Sequence, residues 1–274
     1  LFRSIQAALS FRGVGVIGLP GDLTSKTATS GESSQQPFPT KQRVCPSAEE
    51  IDALADLLNK AEKVTISCGI GAKDAHKELV ELSLRLNAPV AYSFKSKMEI
   101  QYDNPNEVGM TGLLGMPSGY YSMHEAEVLL LLGTDFPYEA FMPQNNTIVQ
   151  VDIKANRLGR RAKIKMGLCG DVKDTLQELL PLVRQKTNDS FLREQLAHYD
   201  KVKRNLRSAA EVKGKDEKIH PEYVISLIDE LASKDAVFTV DTGMTCVWGA
   251  RYLQATGKRK MLGSFNHEIG RAHV

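Results

Sequence analysis

Residues 126–153, AEVLLLLGTDFPYEAFMPQNNTIVQVDI, contain two predicted strands and the loop between them. The unbroken apolar run at residues 128–132 is typical of a strand buried on both faces of a parallel sheet. A glycine turn at Gly133 ends this strand, and a second strand is predicted at residues 147–151, directly before Asp152. Because open α/β sheets bind ligands where their parallel strands end, the loop that begins at Gly133 is a candidate binding site.

The spacing between these two strands favours a nucleotide ligand. Asp152 lies nineteen residues after Gly133, close to the offset at which an acidic residue meets a ribose hydroxyl in dinucleotide-binding folds. The alternative is an ordinary pair of buried strands joined by a solvated loop. Since no GxGxxG motif accompanies the spacing, the spacing alone leaves both interpretations open.

Strands and helices alternate along the central part of the chain. Ser47 and Glu50 form a capping box before an amphipathic helix, and a helix is predicted at residues 172–183. Further strands are predicted at residues 64–67, 88–94 and 165–169. This order predicts an α/β fold, a doubly wound and mostly parallel sheet of about six strands.

Two glycine-containing segments lie between the predicted strands. Gly69 and Gly71 follow the strand at residues 64–67, where they either cradle a phosphate or only form a tight turn. Residues 102–119 carry four glycines three or four residues apart, which either let a ligand approach the backbone or make the segment a flexible loop. His76, inside the following helix, is interpreted as a packing or surface residue.

Composition excludes several classes of function. A net charge of +2 and an aromatic content of 7% argue against a nucleic-acid partner. No apolar run is long enough for a membrane span and no signal peptide is recognised, so a cytoplasmic location is expected. The four cysteines lie far apart without a CxxC pair, which predicts reduced, mostly buried thiols. The basic segment at residues 154–165 contains no acid; such runs are usually solvated, and less often bind phosphate.

The chain divides into units separated by polar segments. Residues 1–23 are predicted to be the end of a domain, with a helix and then a strand at residues 14–19, and residues 24–46 a linker. Residues 47–184 form the central domain, and the charged residues 185–218 a helical linker. Residues 219–267 begin a third unit, whose strand at residues 236–240 is followed by a loop and a helix, an order that suits a phosphate.

Several motifs together resemble one enzyme family. They are RGVGVIGLPGD, CGIGAKDAHKEL, YDNPNEVGMTGLLG, LLLLGTDFPY, VQVDI, VWGARYL and GKRKMLGSFNH. In this order they resemble the thiamine-diphosphate-dependent, FAD-containing pyruvate oxidases, and most of all the quinone-linked pyruvate dehydrogenases of bacteria. The resemblance implies that residues 1–23 end a pyrimidine-binding domain, that residues 47–184 form the FAD-binding central domain, and that residues 219–267 begin a diphosphate-binding domain.

The resemblance also implies cofactor contacts. Those to FAD fall on two loops and one acid: Thr111, Gly112, Leu113, Leu114, Gly133, Thr134, Asp135, Phe136, Pro137 and Asp152. His267 matches the start of the family's His-Gly-Ser stretch beside thiamine diphosphate, but Glu268 and Ile269 depart from it. Because residues 268–274, EIGRAHV, match the translation of a common sequencing adapter, they are expected to be an artefact.

For the intact protein, the resemblance implies oxidative decarboxylation of pyruvate to acetate or acetyl phosphate and CO₂. FAD, thiamine diphosphate and Mg²⁺ are the implied cofactors, with the metal ligands and the catalytic acid expected outside this chain. A homotetramer, and contact with quinone and membrane through residues beyond this chain, are also implied, and the chain alone is expected to be inactive. The alternatives are an acetolactate-synthase-like carboligase and a nucleotide-binding module without catalysis.

Overall fold

The computed structural model describes residues 2–11, 13–27, 43–212 and 218–263. The chain separates into two compact units, Leu1–Arg43 and Val44–Val274. In the first unit, helix α1 (Phe2–Phe11) ends where the backbone N–H of Gly13 donates to the carbonyl of Ala8 at 3.0 Å. The predicted strand at residues 14–19 is wrong, because this stretch is irregular and has no partner strand among the described residues of its unit. Most of the predicted linker at residues 24–46, and all of residues 213–217, lie outside the described residues.

The second unit alternates strands with helices, as predicted. Its elements are, in chain order, α2 (Ala48–Lys60), β1 (Val64–Cys68), α3 (His76–Leu86), β2 (Val90–Tyr92), α4 (Lys97–Ile100), β3 (Glu107–Met110), α5 (Pro117–Glu125), β4 (Val128–Leu132), β5 (Thr147–Asp152), β6 (Met166–Cys169), α6 (Val172–Leu179), α7 (Ser190–Ala209), α8 (Pro221–Leu231), β7 (Val237–Val240), α9 (Met244–Tyr252) and β8 (Lys260–Gly263).

Six parallel strands form the central sheet in the order β3-β2-β1-β4-β5-β6. Every residue of the inner strands β1 and β4 is buried, as expected where helices cover both faces of a sheet. The strand order reverses between β1 and β4, which confirms the predicted doubly wound α/β fold. In such a fold, the point of reversal at the carboxyl ends of the strands is where a ligand is expected.

Local sequence signals fix the first helix of this sheet. The Ser47 side chain accepts a hydrogen bond from the backbone N–H of Glu50, and the Glu50 carboxylate accepts one from the backbone N–H of Ser47. This is the predicted capping box, and it satisfies two backbone donors that the first turn of α2 would otherwise leave unpaired.

The segment at residues 102–119 is more ordered than a flexible loop. It contains strand β3 at the edge of the sheet and the start of α5, neither of which the glycine spacing predicted. Gly109, at a φ of +89°, makes room within β3, since a Cβ atom there would lie 2.9 Å from the Tyr199 ring. The strand predicted at residues 88–94 is shorter in the structure, where β2 covers only Val90–Tyr92.

Helix α7 packs against the sheet rather than only bridging two units. Its buried residues Phe191, Leu192, Gln195 and Tyr199 form one stripe, which faces α5 and β3. The Tyr199 hydroxyl donates to the Glu107 carboxylate at 3.0 Å. The prediction of a charged surface helix therefore describes only its outer face. The predicted domain boundaries themselves stay a prediction.

The predicted start of the third unit contains β7 and β8, which pair in parallel, with α8 and α9 packed together beside them. Among the described residues, none of the helices is both long and apolar enough to cross a membrane.

Replacing Tyr199 with alanine tests whether α7 is part of the central fold. Tyr199→Ala removes a buried ring and the bond to Glu107, so we expect a loss of about 3–5 kcal/mol in the free energy of unfolding, measured by urea denaturation. Glu194→Ala on the exposed face of the same helix is the control, with an expected change within about 0.5 kcal/mol. Equal effects of the two substitutions would contradict the packing role of α7.

Candidate cofactor site

A cavity of about 670 Å³ lies at the carboxyl ends of the central strands, where the strand order reverses. It is lined by the segments that follow β1, β2, β3, β4 and β5, and by the start of α9. The lining residues are Gly69, Ile70, Ser93, Phe94, Lys95, Thr111, Gly112, Leu113, Leu114, Gly133, Thr134, Asp135, Phe136, Pro137, Tyr138, Arg157, Arg161, Thr242, Gly243 and Cys246. The structure thus brings together all the residues that were predicted on the loops after β3 and β4.

Two glycine loops form the floor of the cavity by direct backbone contact. The N–H of Gly71, after β1, donates to the carbonyl of Gly133, after β4, at 3.0 Å. A Cβ atom added at Gly133 would lie 2.6 Å from the Gly71 backbone, and Gly133 has a φ of +58°. Gly69 is equally tight, since its Cβ would lie 2.4 Å from the Gly133 carbonyl oxygen. Gly69 and Gly71 therefore allow the two loops to pack, which favours the turn interpretation of this pair.

The loop after β3 contributes a polar atom without a partner. The Thr111 side chain is 5% exposed, and its hydroxyl has no hydrogen-bond partner among the described residues. Since buried hydroxyl groups are normally hydrogen-bonded, this atom is available to a ligand in the cavity. Gly112 follows at a φ of +103°, and a Cβ atom there would lie 2.9 Å from the Phe136 ring.

Aromatic residues form one wall. Phe136 and Tyr138 line the cavity and pack edge-to-face with ring centroids 5.5 Å apart, and Phe141 packs against both from outside. Such a cluster offers a rigid apolar surface with ring faces and edges for a planar ligand.

Arginines make part of the cavity lining charged. Arg157 and Arg161, from the basic segment after β5, lie 3.9 and 3.6 Å from the Asp135 carboxylate, which also pairs with Arg160. One carboxylate thus holds three guanidinium groups and leaves the cluster with a net positive charge. Guanidinium groups suit phosphate binding, because each presents several N–H donors in a planar fork. The acid-free run of charges at residues 154–165 is the sequence signal for this cluster, but such a run usually indicates a solvated surface.

Other predicted or candidate residues lie elsewhere. Asp152 is 2% exposed and does not line the cavity; its Oδ1 accepts a hydrogen bond from the backbone N–H of Lys154 at 2.9 Å. His267 and residues 268–274 lie outside the described residues. His76 stacks on Tyr102 with ring centroids 3.9 Å apart, which confirms its packing role.

None of the four cysteines, all of which the structure describes, forms a disulfide bond; Cys68 and Cys246 are buried and Cys45 and Cys169 are half-buried. In the part of the chain that the structure describes, no cluster of His, Cys, Asp or Glu side chains could hold a metal ion.

Several lining residues had no clear signal in the sequence. Ser93, Phe94 and Lys95 follow β2 without a glycine or a charge pattern, and they reach the cavity only because β2 is adjacent to β1. Thr242, Gly243 and Cys246 come from the strand–loop–helix of the predicted third unit, an order that by itself suits a phosphate.

Comparisons with known proteins place this fold in context. Residues 51–179 match the family model of the central domain of thiamine pyrophosphate enzymes. Over 207 residues, the chain is 43% identical to an uncharacterized 42.6 kDa protein of Pseudomonas amyloderamosa. The match covers 75% of this chain and 52% of that protein. The chain is also 26% identical to a pyruvate oxidase of Lactiplantibacillus plantarum, in a match that covers 96% of this chain and 44% of that protein. It is 23% identical to an acetolactate synthase of Mycobacterium bovis, and this match likewise covers 96% of this chain and 44% of that protein. The chain therefore spans about half the length of these curated relatives.

Substitution of Gly133 tests the backbone contact at the cavity floor. Both Gly133→Ala and the control Gly159→Ala place alanine at a positive φ, at a common cost of about 1–2 kcal/mol. At Gly159 the nearest atom is a side-chain carbon of Ile164 at 3.6 Å, whereas at Gly133 it is backbone at 2.6 Å. We expect Gly133→Ala to lose roughly 1–3 kcal/mol more in urea denaturation. If both variants unfold at the same urea concentration, the loops do not pack as described.

Proposed function

We propose that the chain is part of a thiamine-diphosphate-dependent enzyme that acts on pyruvate, and that its cavity binds FAD. The observation that carries the proposal is the convergence of the Thr111–Leu114 and Gly133–Pro137 segments on one cavity with Arg157 and Arg161. Relatives named pyruvate oxidase and acetolactate synthase, together with the match to the thiamine pyrophosphate enzyme central domain, support the choice of family.

The cavity has the chemistry that a flavin nucleotide requires. Its volume of about 670 Å³ falls within the range of roughly 300–1,000 Å³ that is usual for ligand pockets. The diphosphate of FAD would lie against Arg157 and Arg161. The aromatic wall at Phe136 and Tyr138 would contact a planar ring, and the unpaired Thr111 hydroxyl would receive a polar group.

Asp152 remains a weaker part of this proposal. It ends β5 directly beside the loop of Gly133, whose N–H donates to the carbonyl of Val151 at 2.9 Å. A contact with ribose would compete with the bond between its carboxylate and the N–H of Lys154. The assignment of FAD to the cavity therefore depends on the glycine loops and the arginines rather than on Asp152.

The cofactors would supply the reaction chemistry, and the chain would supply binding and position. Thiamine diphosphate provides an electron sink for decarboxylation of a 2-oxo acid, and FAD provides a two-electron acceptor. No described residue is assigned to thiamine diphosphate or to Mg²⁺. For the intact protein we propose a cytoplasmic homotetramer that oxidises pyruvate to acetate or acetyl phosphate and CO₂, with quinone at the membrane or oxygen as the electron acceptor.

Acetolactate synthesis is the second candidate function, because relatives of that name match at similar identity. Anaerobic addition of pyruvate to the intact protein, loaded with FAD, thiamine diphosphate and Mg²⁺, separates the candidates. An oxidase bleaches the absorbance of oxidised flavin and forms acetate or acetyl phosphate. A carboligase leaves the flavin oxidised and accumulates acetolactate. FAD binding with neither product would show a nucleotide-binding module and contradict the enzymatic proposal.

Arginine substitutions test the location of FAD. We expect Arg157→Gln and Arg161→Gln each to weaken FAD binding roughly tenfold or more, because each removes a charged hydrogen-bond donor facing the diphosphate. Lys163→Gln is the matched control, since it removes one positive charge from an exposed side chain of the same segment that does not line the cavity. The measurement is a titration of the purified chain with FAD, followed by quenching of flavin fluorescence.

Two further outcomes of this titration are informative. The family resemblance predicts a loss of roughly 1–3 kcal/mol in FAD binding for Asp152→Ala, and wild-type affinity in that variant would remove the ribose contact from the proposal. Equal weakening by all the charge substitutions, Lys163→Gln included, would show that FAD responds only to the overall charge of the segment, and the cavity would then not be its site.

A further inference from the structure

One lysine is completely enclosed by protein. The Lys97 side chain is 1% exposed, and its Nζ donates a hydrogen bond to the carbonyl oxygen of Ala250 at 2.8 Å. Lysine is almost never fully buried without a partner, so this contact calls for a specific role. Burial lowers the pKa of Lys97 to about 8, although Glu107 and Asp229 favour its charged form.

The acceptor of this bond is the end of a helix. Ala250 lies in the last turn of α9, where the helix does not supply a backbone donor to every carbonyl group. A cation is favoured at this position, since the carbonyl groups at a helix C-terminus carry partial negative charge. Lys97 belongs to α4 beside the central sheet, and its bond therefore fixes α9 to the central sheet at one defined point.

The other end of α9 lines the cavity. Gly243 and Cys246 lie at its first turn, and Thr242 directly precedes them. A second link runs from Arg251, which donates to the carbonyls of Leu114 and Gly115 at 3.4 Å each, on the loop after β3. The position of α9 therefore determines where one wall of the cavity stands.

We propose that Lys97 is a positioning residue, whose buried amino group holds α9 so that Thr242, Gly243 and Cys246 close the cavity. The consequence for FAD rests on the proposed function, whereas the docking of α9 does not. Arg251 and the polar contacts around Gln101 and Gln254 are only partly buried, so water can replace them. Water cannot replace Lys97 at the Ala250 carbonyl without opening the contact.

The charged groups around Lys97 determine how the test is designed. Glu107 on β3 accepts hydrogen bonds from the hydroxyls of Tyr92 and Tyr199, and burial raises its pKa. Asp229 on α8 is paired with Arg259 at 2.6 Å. Removal of Lys97 alone leaves the buried Glu107 carboxylate without the nearby positive charge that favours its ionised form. A second variant, Lys97→Met with Glu107→Gln, therefore removes both charges.

Two buried thiols report docking and unfolding separately. Cys246 lies on α9 at the cavity and is 5% exposed, while Cys68 in β1 is 0% exposed. The experiment treats the full chain with iodoacetamide in the absence of FAD and follows both cysteines by peptide mass spectrometry. In Lys97→Met we expect Cys246 to react roughly ten- to a hundredfold faster, as the loss of one buried hydrogen bond implies, while Cys68 stays protected.

Lys186→Met is the matched control. The Lys186 side chain also donates to a carbonyl at a helix C-terminus, that of Ala61 after α2, but α2 does not line the cavity. In this variant we expect the alkylation rates of Cys246 and Cys68 to equal those in the wild type. Titration with FAD should show weaker binding for Lys97→Met and unchanged binding for Lys186→Met.

The outcomes separate the inference from the proposed function. Unchanged reactivity of Cys246 in Lys97→Met would overturn the positioning role. If Cys68 and Cys246 become reactive together, the double variant decides: a reactive Cys246 beside a protected Cys68 supports the role, and any other pattern overturns it. If the wild type binds no FAD while Cys246 responds as expected, the proposed cofactor is wrong and the docking role of Lys97 stands.

Discussion

The backbone contact between the loop after β1 and the loop after β4 is the constraint on which the rest of the site depends. Strands β1 and β4 pair in register from Val64 with Val128 to Cys68 with Leu132, so their loops leave the sheet side by side. Glycine at positions 69, 71 and 133 lets these loops touch through main-chain atoms. Any side chain there would separate them, and the floor of the cavity would be lost. The doubly wound order then adds the loops after β2 and β3 on one side and the segment after β5 on the other.

The cavity built on this floor has two chemically distinct halves. Guanidinium groups gather around Asp135 on one side, while Phe136 and Tyr138 form an apolar wall. A ligand with both an anionic group and a planar ring matches this division, and the chemistry of the site therefore supports the proposal of a flavin nucleotide. Helix α9 completes the enclosure, and the buried bond between Lys97 and Ala250 connects that wall to the central sheet.

The parts of the fold with strong local patterns were predictable from the sequence. Five apolar residues in a row identified β4, the Ser47 capping box identified α2, and the glycine at the end of β4 marked a loop that lines the cavity. The missed features depend on tertiary neighbours. Strand β3 is four residues long and contains a glycine, and the stripe of α7 is masked by the charges of its outer face. The burial of Lys97 and the place of Arg161 depend on elements distant in sequence, which local periodicity cannot reveal.

We propose that the loops after β1, β3 and β4 together form a flavin site. Hydrogen–deuterium exchange of the chain with and without saturating FAD tests it most directly, because it reports on the backbone of every loop in one measurement. If FAD binds in the cavity, we expect slower exchange on FAD addition at residues 69–71, 111–115 and 133–138, with little change in the outer face of α7. FAD-dependent protection confined to other segments, with these three loops unchanged, would contradict it.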